Sequence, residues 1–170
     1  PGDEVIVCIN GVFGGRMKDN MERAGAIVHA LEIPWGQTFT QQDIAEFVAQ
    51  HPAAKLLGIV HAETSTGALQ DLTGISSIVH DAGMLLAVDT VTSLGGHEVK
   101  VDDWGIDAIY SGTQKCLSCP PGLSPVSFSN RVRNCDHLML SLPTSDVVTH
   151  FVDQHRDEFR EGQILLDTTT

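Results

Sequence analysis

Short runs of consecutive apolar residues alternate along this chain with longer segments in which apolar residues recur every three or four positions. The continuous runs are typical of strands buried on both faces of a parallel sheet, and they predict strands over residues 5–9, 26–31, 56–60, 84–88, 106–110 and 124–128. The periodic segments predict helices over residues 16–24, 38–50, 72–82 and 130–140. This alternation predicts an α/β fold, with a mostly parallel sheet between two layers of helices.

Distinctive residues follow four of the predicted strands. They are a glycine-rich turn around Phe13, a hydroxyl cluster at residues 61–67 (His-Ala-Glu-Thr-Ser-Thr-Gly), the acidic residue Asp89, and Lys115 in a Ser-Gly-Thr-Gln-Lys loop. The carboxyl ends of parallel strands meet at one edge of the sheet, where such folds bind their ligands. The sequence therefore predicts one site built from these four segments.

Lys115 suggests the chemistry of that site. A lysine fixed in a pocket can lose its proton and form a Schiff base with a carbonyl, such as that of pyridoxal phosphate (PLP). Asp89 could then keep the PLP ring nitrogen protonated, while Phe13 could stack on the ring. Thr64 could donate a hydrogen bond to a ring substituent, and Gln114 could bind the phosphate. Each residue also has an ordinary interpretation: a loop hydrogen bond for Asp89, core packing for Phe13, local capping for Thr64, and a solvated side chain for Gln114.

Other groups in the sequence limit the possible functions. Acidic residues outnumber basic ones by 22 to 10, giving a net charge of −12, which argues against nucleic acid and anionic membranes as partners. No apolar run reaches the roughly 18 to 20 residues that a membrane span needs. Glu63 and His61 could suggest acid–base chemistry, but such residues after a strand more often satisfy loop backbone.

The four cysteines do not form the spacing of a disulfide framework, which predicts a reducing compartment such as the cytoplasm. Cys116 and Cys119 have the C-x-x-C spacing of a zinc or redox pair. A zinc site would need a second pair of close ligands, and the sequence offers none. We therefore expect no metal site and interpret these cysteines as incidental thiols.

Three collinear segments resemble the class V, fold-type I aminotransferases. They are Val-Asp-Thr-Val-Thr-Ser-Leu-Gly-Gly at residues 88–96, Gly-Ile-Asp-Ala-Ile-Tyr-Ser-Gly-Thr-Gln-Lys at 105–115, and Pro-Pro-Gly at 120–122. The 61–67 segment resembles the H-G-E-S-S-T-G segment of the alanine–glyoxylate/serine–pyruvate aminotransferase branch. The resemblance covers about residues 1–135 and implies the large domain of a PLP-dependent transferase.

The resemblance also implies a role for each site residue. Lys115 would hold PLP as a Schiff base and later move a proton, and Asp89 would pair with the pyridine nitrogen. Val91 would pack under the ring, and Gln114 would lie at the phosphate. Catalysis would rest on Lys115 and Asp89.

Two site residues differ from those usual in the branch. Phe13 stands where a tryptophan stacks over the ring, and Thr64 stands where a serine lies near the ring hydroxyl. Both substitutions keep the chemistry of the original group. The family's phosphate-binding turn would lie upstream of Pro1. Its substrate-binding arginine would lie in a C-terminal small domain, so we interpret the chain as a fragment.

The resemblance implies a transaminase that moves an amino group from alanine or serine to a 2-oxo acid, glyoxylate or pyruvate, in a homodimer of the full-length protein. Residues 1–140 would form the PLP-binding large domain, and residues 141–170 stay unassigned, as its end or as a connection to the small domain. A cysteine desulfurase or related lyase of the same fold is an alternative, although those relatives generally carry histidine where this chain has Gln114. A catalytically incomplete fragment is another. A peroxisomal or mitochondrial location also stays open for a eukaryotic protein.

Overall fold

A computed structural model describes residues 1–133, 137–140, 153, 156 and 164–167 of the chain. Strands and helices alternate over most of this length. In chain order the elements are β1 (Glu4–Ile9), α1 (Val12–Arg23), β2 (Ile27–Glu32), α2 (Gln41–Gln50), β3 (Ala54–Val60), β4 (Ala62–Glu63), β5 (Ala68–Leu69), α3 (Ile75–Asp81), β6 (Leu85–Asp89), β7 (Ala108–Tyr110), β8 (Val126–Phe128), α4 (Asn130–Arg133), β9 (His137–Leu140) and β10 (Ile164–Asp167). Among the helices of these described residues, none is long and apolar enough to cross a membrane.

Six strands form the main sheet, in the order β2-β1-β3-β6-β7-β8. All neighbours in it run parallel except β7 and β8, which are antiparallel. The register places Val60 beside Asp89, and Asp89 beside Tyr110, across three adjacent strands. The carboxyl ends of β3, β6 and β7 therefore form a continuous edge.

Helices cover both faces of this sheet, because its central strands bury side chains on both sides. On one face, Val7 and Val60 pack with Met17 of α1. On the other face, Ile6 and Leu57 pack with residues of α2 and α3 in the larger core cluster. The predicted three-layer α/β architecture with a mostly parallel sheet is confirmed.

The second predicted helix shows how local sequence sets a helix boundary. Thr40 is its N-cap: the Thr40 hydroxyl accepts a hydrogen bond from the Asp43 amide (3.1 Å), and the Asp43 carboxylate accepts one from the Thr40 amide (2.8 Å). This reciprocal capping box satisfies two backbone donors that the helix start leaves free. The third helix is shorter than predicted and follows Gly74, whose φ of 75° is not helical.

The prediction of a glycine-rich turn around Phe13 is wrong beyond Gly11. Helix α1 already begins at Val12, so that Phe13, Gly14 and Gly15 form its first turn. The Ser65 hydroxyl accepts from the Val12 amide (3.0 Å), and Glu63 accepts from the amides that follow. These distant side chains supply the N-terminal cap, and the local sequence could not indicate them.

The helix predicted over residues 130–140 is confirmed at its start and wrong at its end. Residues Asn130–Arg133 form a helix, whereas His137–Leu140 is a strand that pairs in parallel with Ile164–Asp167. A short apolar run does not by itself distinguish a helix from a strand. Pairing with a segment more than twenty residues later makes residues 137–140 a strand.

Gly14 lets helix α1 approach strand β1 closely. A Cβ on Gly14 would lie 2.8 Å from the Cys8 carbonyl oxygen and 3.0 Å from the Ile9 Cα, both of which are backbone atoms. We expect Gly14→Ala to lower the free energy of unfolding by roughly 1–3 kcal/mol through overpacking, as measured by urea denaturation. Gly15→Ala is the matched control, because its Cβ would meet no atom within 4 Å. It should gain about 0.5–1 kcal/mol of helix stability, and an equal loss in both variants would contradict this account.

Candidate functional site

A cavity of about 220 Å³ opens at the carboxyl edge of the sheet, on the face that α1 covers. All six residues predicted for the site line it, together with three that the sequence did not suggest. The lining residues are Phe13, Val60, Ala62, Thr64, Asp89, Val91, Thr92, Gln114 and Lys115. Phe13, Val91 and Thr92 are partly buried, while Thr64, Gln114 and Lys115 are exposed, so the cavity is open to solvent on the side of Lys115.

Backbone hydrogen bonds extend the sheet ladder past the strand ends and fix the Asp89 segment. The His61 amide donates to the Asp89 carbonyl (2.9 Å), and the Thr90 amide donates to the Tyr110 carbonyl (2.9 Å). The Ser111 hydroxyl also donates to the Thr90 carbonyl (3.0 Å). The segments that follow β3, β6 and β7 are thus held together by main-chain contacts as well as by side chains.

Asp89 is a buried carboxylate with two hydrogen-bond donors. Only 8% of the residue is exposed. Its Oδ1 accepts from the Val91 amide (2.8 Å), and its Oδ2 accepts from the Tyr110 hydroxyl (2.8 Å). Burial raises the pKa of Asp89, the charge of Glu63 raises it further, and the two donors oppose that rise. A cation beside this carboxylate would offset the cost of its burial.

Thr113 closes the loop that carries Lys115 by two hydrogen bonds, one that it donates and one that it accepts. The Thr113 hydroxyl donates to the Pro120 carbonyl (2.7 Å), and the Thr113 carbonyl accepts from the Cys119 amide (3.0 Å). Within the loop, the Ser118 amide donates to the Lys115 carbonyl (2.9 Å). The Pro-Pro-Gly turn therefore anchors the loop at its base, while the Lys115 side chain stays accessible.

Glu63 joins the start of helix α1 to the hydroxyl segment. Its carboxylate accepts from the amides of Phe13 (3.1 Å), Gly14 (3.2 Å) and Ser65 (3.1 Å), and from the Ser65 hydroxyl (2.7 Å). Only 1% of the residue is exposed. The interpretation that Glu63 satisfies backbone is confirmed. A Cβ on Gly11 would lie 2.4 Å from the Glu63 Cγ, so only glycine allows this approach.

The hydroxyl side of the cavity contains a residue pair that the sequence did not suggest. Thr64 and Thr92 form a hydrogen bond between their side-chain oxygens, and the Cys116 thiol donates to the Thr92 carbonyl (3.2 Å). Thr92 lies within the 88–96 segment, but nothing in its local pattern distinguished it from Thr90. Val60 and Ala62 were missed because apolar residues within strands indicate core packing.

Cys116 and Cys119 make separate contacts in the structure. The Cys119 thiol donates to the Leu117 carbonyl (3.3 Å), whereas Cys116 bonds to Thr92. Cys8 is buried, and all three of these cysteines are free, while Cys135 lies outside the described residues. Over the described ranges, no group of three or more His, Cys, Asp or Glu residues could hold a metal ion.

His61 supports the turn after Asp89 through a contact with Ser93. Its Nδ1 is hydrogen-bonded to the Ser93 hydroxyl (2.8 Å), and Trp104 and His97 contact its ring edge to face. The residue is 2% exposed. Burial lowers the pKa of His61, and the neighbouring His97 lowers it further. His61 is therefore a structural side chain, as the sequence indicated, although its partner is the Ser93 hydroxyl rather than the loop backbone.

The parallel sheet and the polar cavity at its carboxyl edge define an α/β ligand-binding domain, and comparison with known proteins identifies its family. The family model "Aminotransferase class-V" matches residues 1–150. The chain belongs to the class V aminotransferase family.

Named relatives agree with this assignment. The chain is 43% identical over 145 residues to an alanine–glyoxylate aminotransferase from Callithrix jacchus, covering 85% of this chain and 35% of the relative. It is 43% identical over 132 residues to the (S)-ureidoglycine–glyoxylate transaminase of Bacillus subtilis, covering 78% of this chain and 32% of the relative. The chain thus spans about a third of the length of the curated relatives it matches.

Solved structures show the same fold. The crystal structure of an alanine–glyoxylate aminotransferase from Nostoc sp. superimposes with a TM-score of 0.75 at 45% identity, covering 77% of this chain and 34% of that one. A ureidoglycine–glyoxylate aminotransferase from Bacillus subtilis superimposes equally well at 43% identity, covering 77% and 34% of the two chains. The resemblance to the class V aminotransferases is therefore confirmed.

The four hydrogen bonds of Glu63 lead to a prediction about stability. Glu63→Gln keeps the shape of the side chain but replaces one acceptor oxygen by an amide group, which cannot accept from the same donors. We expect it to lower the free energy of unfolding by about 2–3 kcal/mol, because hydrogen bonds to a buried charged group are lost. Glu22→Gln is the control, since among the described residues the Glu22 side chain forms only an exposed ion pair with Lys18 on α1. It should change the same quantity by less than about 0.5 kcal/mol, and similar losses in both variants would refute the role of Glu63.

The lowered pKa of His61 predicts acid sensitivity. The unfolded chain takes up a proton on this imidazole near its ordinary pKa of 6.5, at a pH where the folded protein does not. The free energy of unfolding should therefore fall as the pH drops below about 6.5, and stay level above it as far as His61 is concerned. Urea denaturation between about pH 7.5 and pH 5.5 would measure this slope.

His61→Gln should flatten the slope, whatever it does to stability at neutral pH. His97→Gln should keep most of the slope, because burial is the main cause of the lowered pKa. An unchanged slope in His61→Gln would show that other groups cause the acid sensitivity.

Proposed function

We propose that the protein carrying this chain is a PLP-dependent transaminase. It would move an amino group from a small amino acid, alanine or serine, to a 2-oxo acid, glyoxylate or pyruvate. The observation that supports this proposal best is that Lys115, Asp89 and the other four predicted residues line one cavity. Glyoxylate is the better supported acceptor, because the names of both curated relatives contain it, whereas their amino donors differ.

The chemistry of the cavity fits PLP. Among the described contacts, Asp89 has donors but no cationic partner, and its burial favours the approach of a positive charge such as a protonated ring nitrogen. Phe13 and Val91 offer apolar surface for a planar ring, and Thr64 offers a hydroxyl. Lys115 offers the amine that an aldehyde requires.

The proposed roles of the residues follow from these groups. Lys115 Nζ would hold the cofactor covalently and, once free, would move the proton at the α-carbon of the substrate. Asp89 would bind the ring nitrogen and keep its proton in place. Phe13 and Val91 would orient the ring and exclude water from its faces, and Gln114 would contact the phosphate. When bound, PLP supplies an electron sink for the negative charge that develops on the substrate.

The cysteine desulfurase alternative has only a likeness of fold behind it. A cysteine desulfurase from Thermococcus onnurineus superimposes with a TM-score of 0.61, but at 19% identity. Gln114 before the lysine, together with the 43% identity to transaminases, favours transamination over desulfuration. We further propose that residues 1–140 belong to the PLP-binding large domain, that the full-length protein is a homodimer, and that it works in a reducing compartment such as the cytoplasm.

The identity of the anchoring lysine can be tested on the full-length protein. After incubation with PLP and reduction with borohydride, peptide mapping by mass spectrometry should find the label on Lys115. Lys115→Ala should abolish the label and the absorbance of the covalently bound cofactor, because no other lysine lines the cavity among the described residues. Lys100→Ala is the control, since Lys100 lies on the surface beside Glu98 and should leave labelling unchanged. A label on another lysine in the wild-type protein would refute the proposal.

A further inference from the structure

Tyr110 is tied to the Asp89 segment by three hydrogen bonds. The two residues are register partners across β6 and β7, so their side chains leave the sheet on the same face. The Tyr110 hydroxyl donates to Asp89 Oδ2 (2.8 Å), while its carbonyl accepts from the Thr90 amide and from the Thr90 hydroxyl, both at 2.9 Å. One residue thus holds both the carboxylate and the turn that follows it.

The hydroxyl of Tyr110 donates to a buried carboxylate, although the residue itself is exposed. The residue is 37% exposed, yet its hydroxyl faces a carboxylate that is only 8% exposed. Burial and the neighbouring Asp89 both raise the pKa of Tyr110, so the hydroxyl keeps its proton and acts as a donor. Tyr110 does not itself line the cavity, so it can act on the site through its contact with Asp89.

We propose that Tyr110 is a positioning residue for Asp89, which it orients and keeps ionised for contact with the ring nitrogen of the cofactor. This inference rests on the proposed function. The groups that face Asp89 are Glu63, whose charge disfavours the anion, Lys115 across the cavity, and the donors Val91 and Tyr110. The Val91 donor is a backbone amide, so Tyr110 is the side chain through which the carboxylate can be adjusted.

Two variants of the full-length protein separate this role from a purely structural one. Tyr110→Phe removes only the hydroxyl that contacts Asp89. Thr90→Val removes a hydroxyl from the same turn, one that bonds to the Tyr110 carbonyl and not to Asp89. In the cofactor-free protein, carbon-13 NMR of the Asp89 carboxyl should show a higher pKa in Tyr110→Phe and an unchanged pKa in Thr90→Val.

The same variants should differ in cofactor binding. The dissociation constant for PLP should rise about tenfold or more in Tyr110→Phe, because the lost bond is made to a charged group, and should stay near the wild-type value in Thr90→Val. The kcat value should fall in Tyr110→Phe, with little change in the KM of the amino donor. In an Asp89→Asn background, Tyr110→Phe should cause no comparable further loss of PLP affinity.

Other results would overturn the proposal. An unchanged Asp89 pKa in Tyr110→Phe, or an equal shift in Thr90→Val, would show that the hydroxyl has no specific effect on the carboxylate. If Tyr110→Phe does not fold, fluorotyrosine at position 110 provides a second test, because a more acidic hydroxyl is a stronger donor and should lower the Asp89 pKa. A failure of these shifts in a protein that still labels at Lys115 refutes only the role of Tyr110. A wild-type protein that takes no label at Lys115 refutes the proposed function, and with it the need to position Asp89.

Discussion

The buried carboxylate of Glu63 holds together two segments on which the candidate site depends. A carboxylate removed from water is strongly destabilising unless hydrogen bonds replace its hydration. Glu63 obtains them from the first turn of α1 and from Ser65, fifty residues away from that turn. Neither segment alone supplies enough donors, so the start of the helix and the hydroxyl segment must form together. Phe13 and Thr64 are adjacent to these contacts, and their positions are therefore fixed by the same interaction.

A second carboxylate, that of Asp89, makes the site electrostatically asymmetric. Glu63 accepts four hydrogen bonds from the backbone and a hydroxyl, whereas Asp89 accepts two and faces the cavity. The charge of Glu63 also raises the pKa of Asp89. Two buried carboxylates whose charges repel each other favour a nearby cation. Under the proposed function, a positively charged ring nitrogen beside Asp89 would relieve this repulsion at the carboxyl edge of the sheet.

The sequence predicted those parts of the structure that depend on local pattern. Continuous apolar runs located the central strands, and the order of strands and helices placed Asp89 and Lys115 at the same edge. The Thr40 capping box was predictable because both partners lie within four residues. The start of α1 was not, because its cap comes from Glu63 and Ser65, and the strand at His137–Leu140 was not, because its partner is Ile164–Asp167. Tyr110 was missed for a related reason: as the last residue of a strand it had no local feature that indicated its contact with Asp89.

The carboxylate and the amine of the proposed chemistry lie at and beyond the ends of two adjacent strands. Asp89 ends β6, and Lys115 follows β7, with Tyr110 and Ser111 bonded to the Asp89–Thr90 segment between them. The ladder of parallel strands fixes Asp89 and the strand end that precedes Lys115. The position of the amine then also depends on the Thr113 hydrogen bonds that close its loop. A shift of β7 along β6 by one residue would turn Tyr110 to the opposite face and separate it from Asp89. The register of these two strands is therefore the structural constraint that relates the carboxylate, its donor and the lysine to one another.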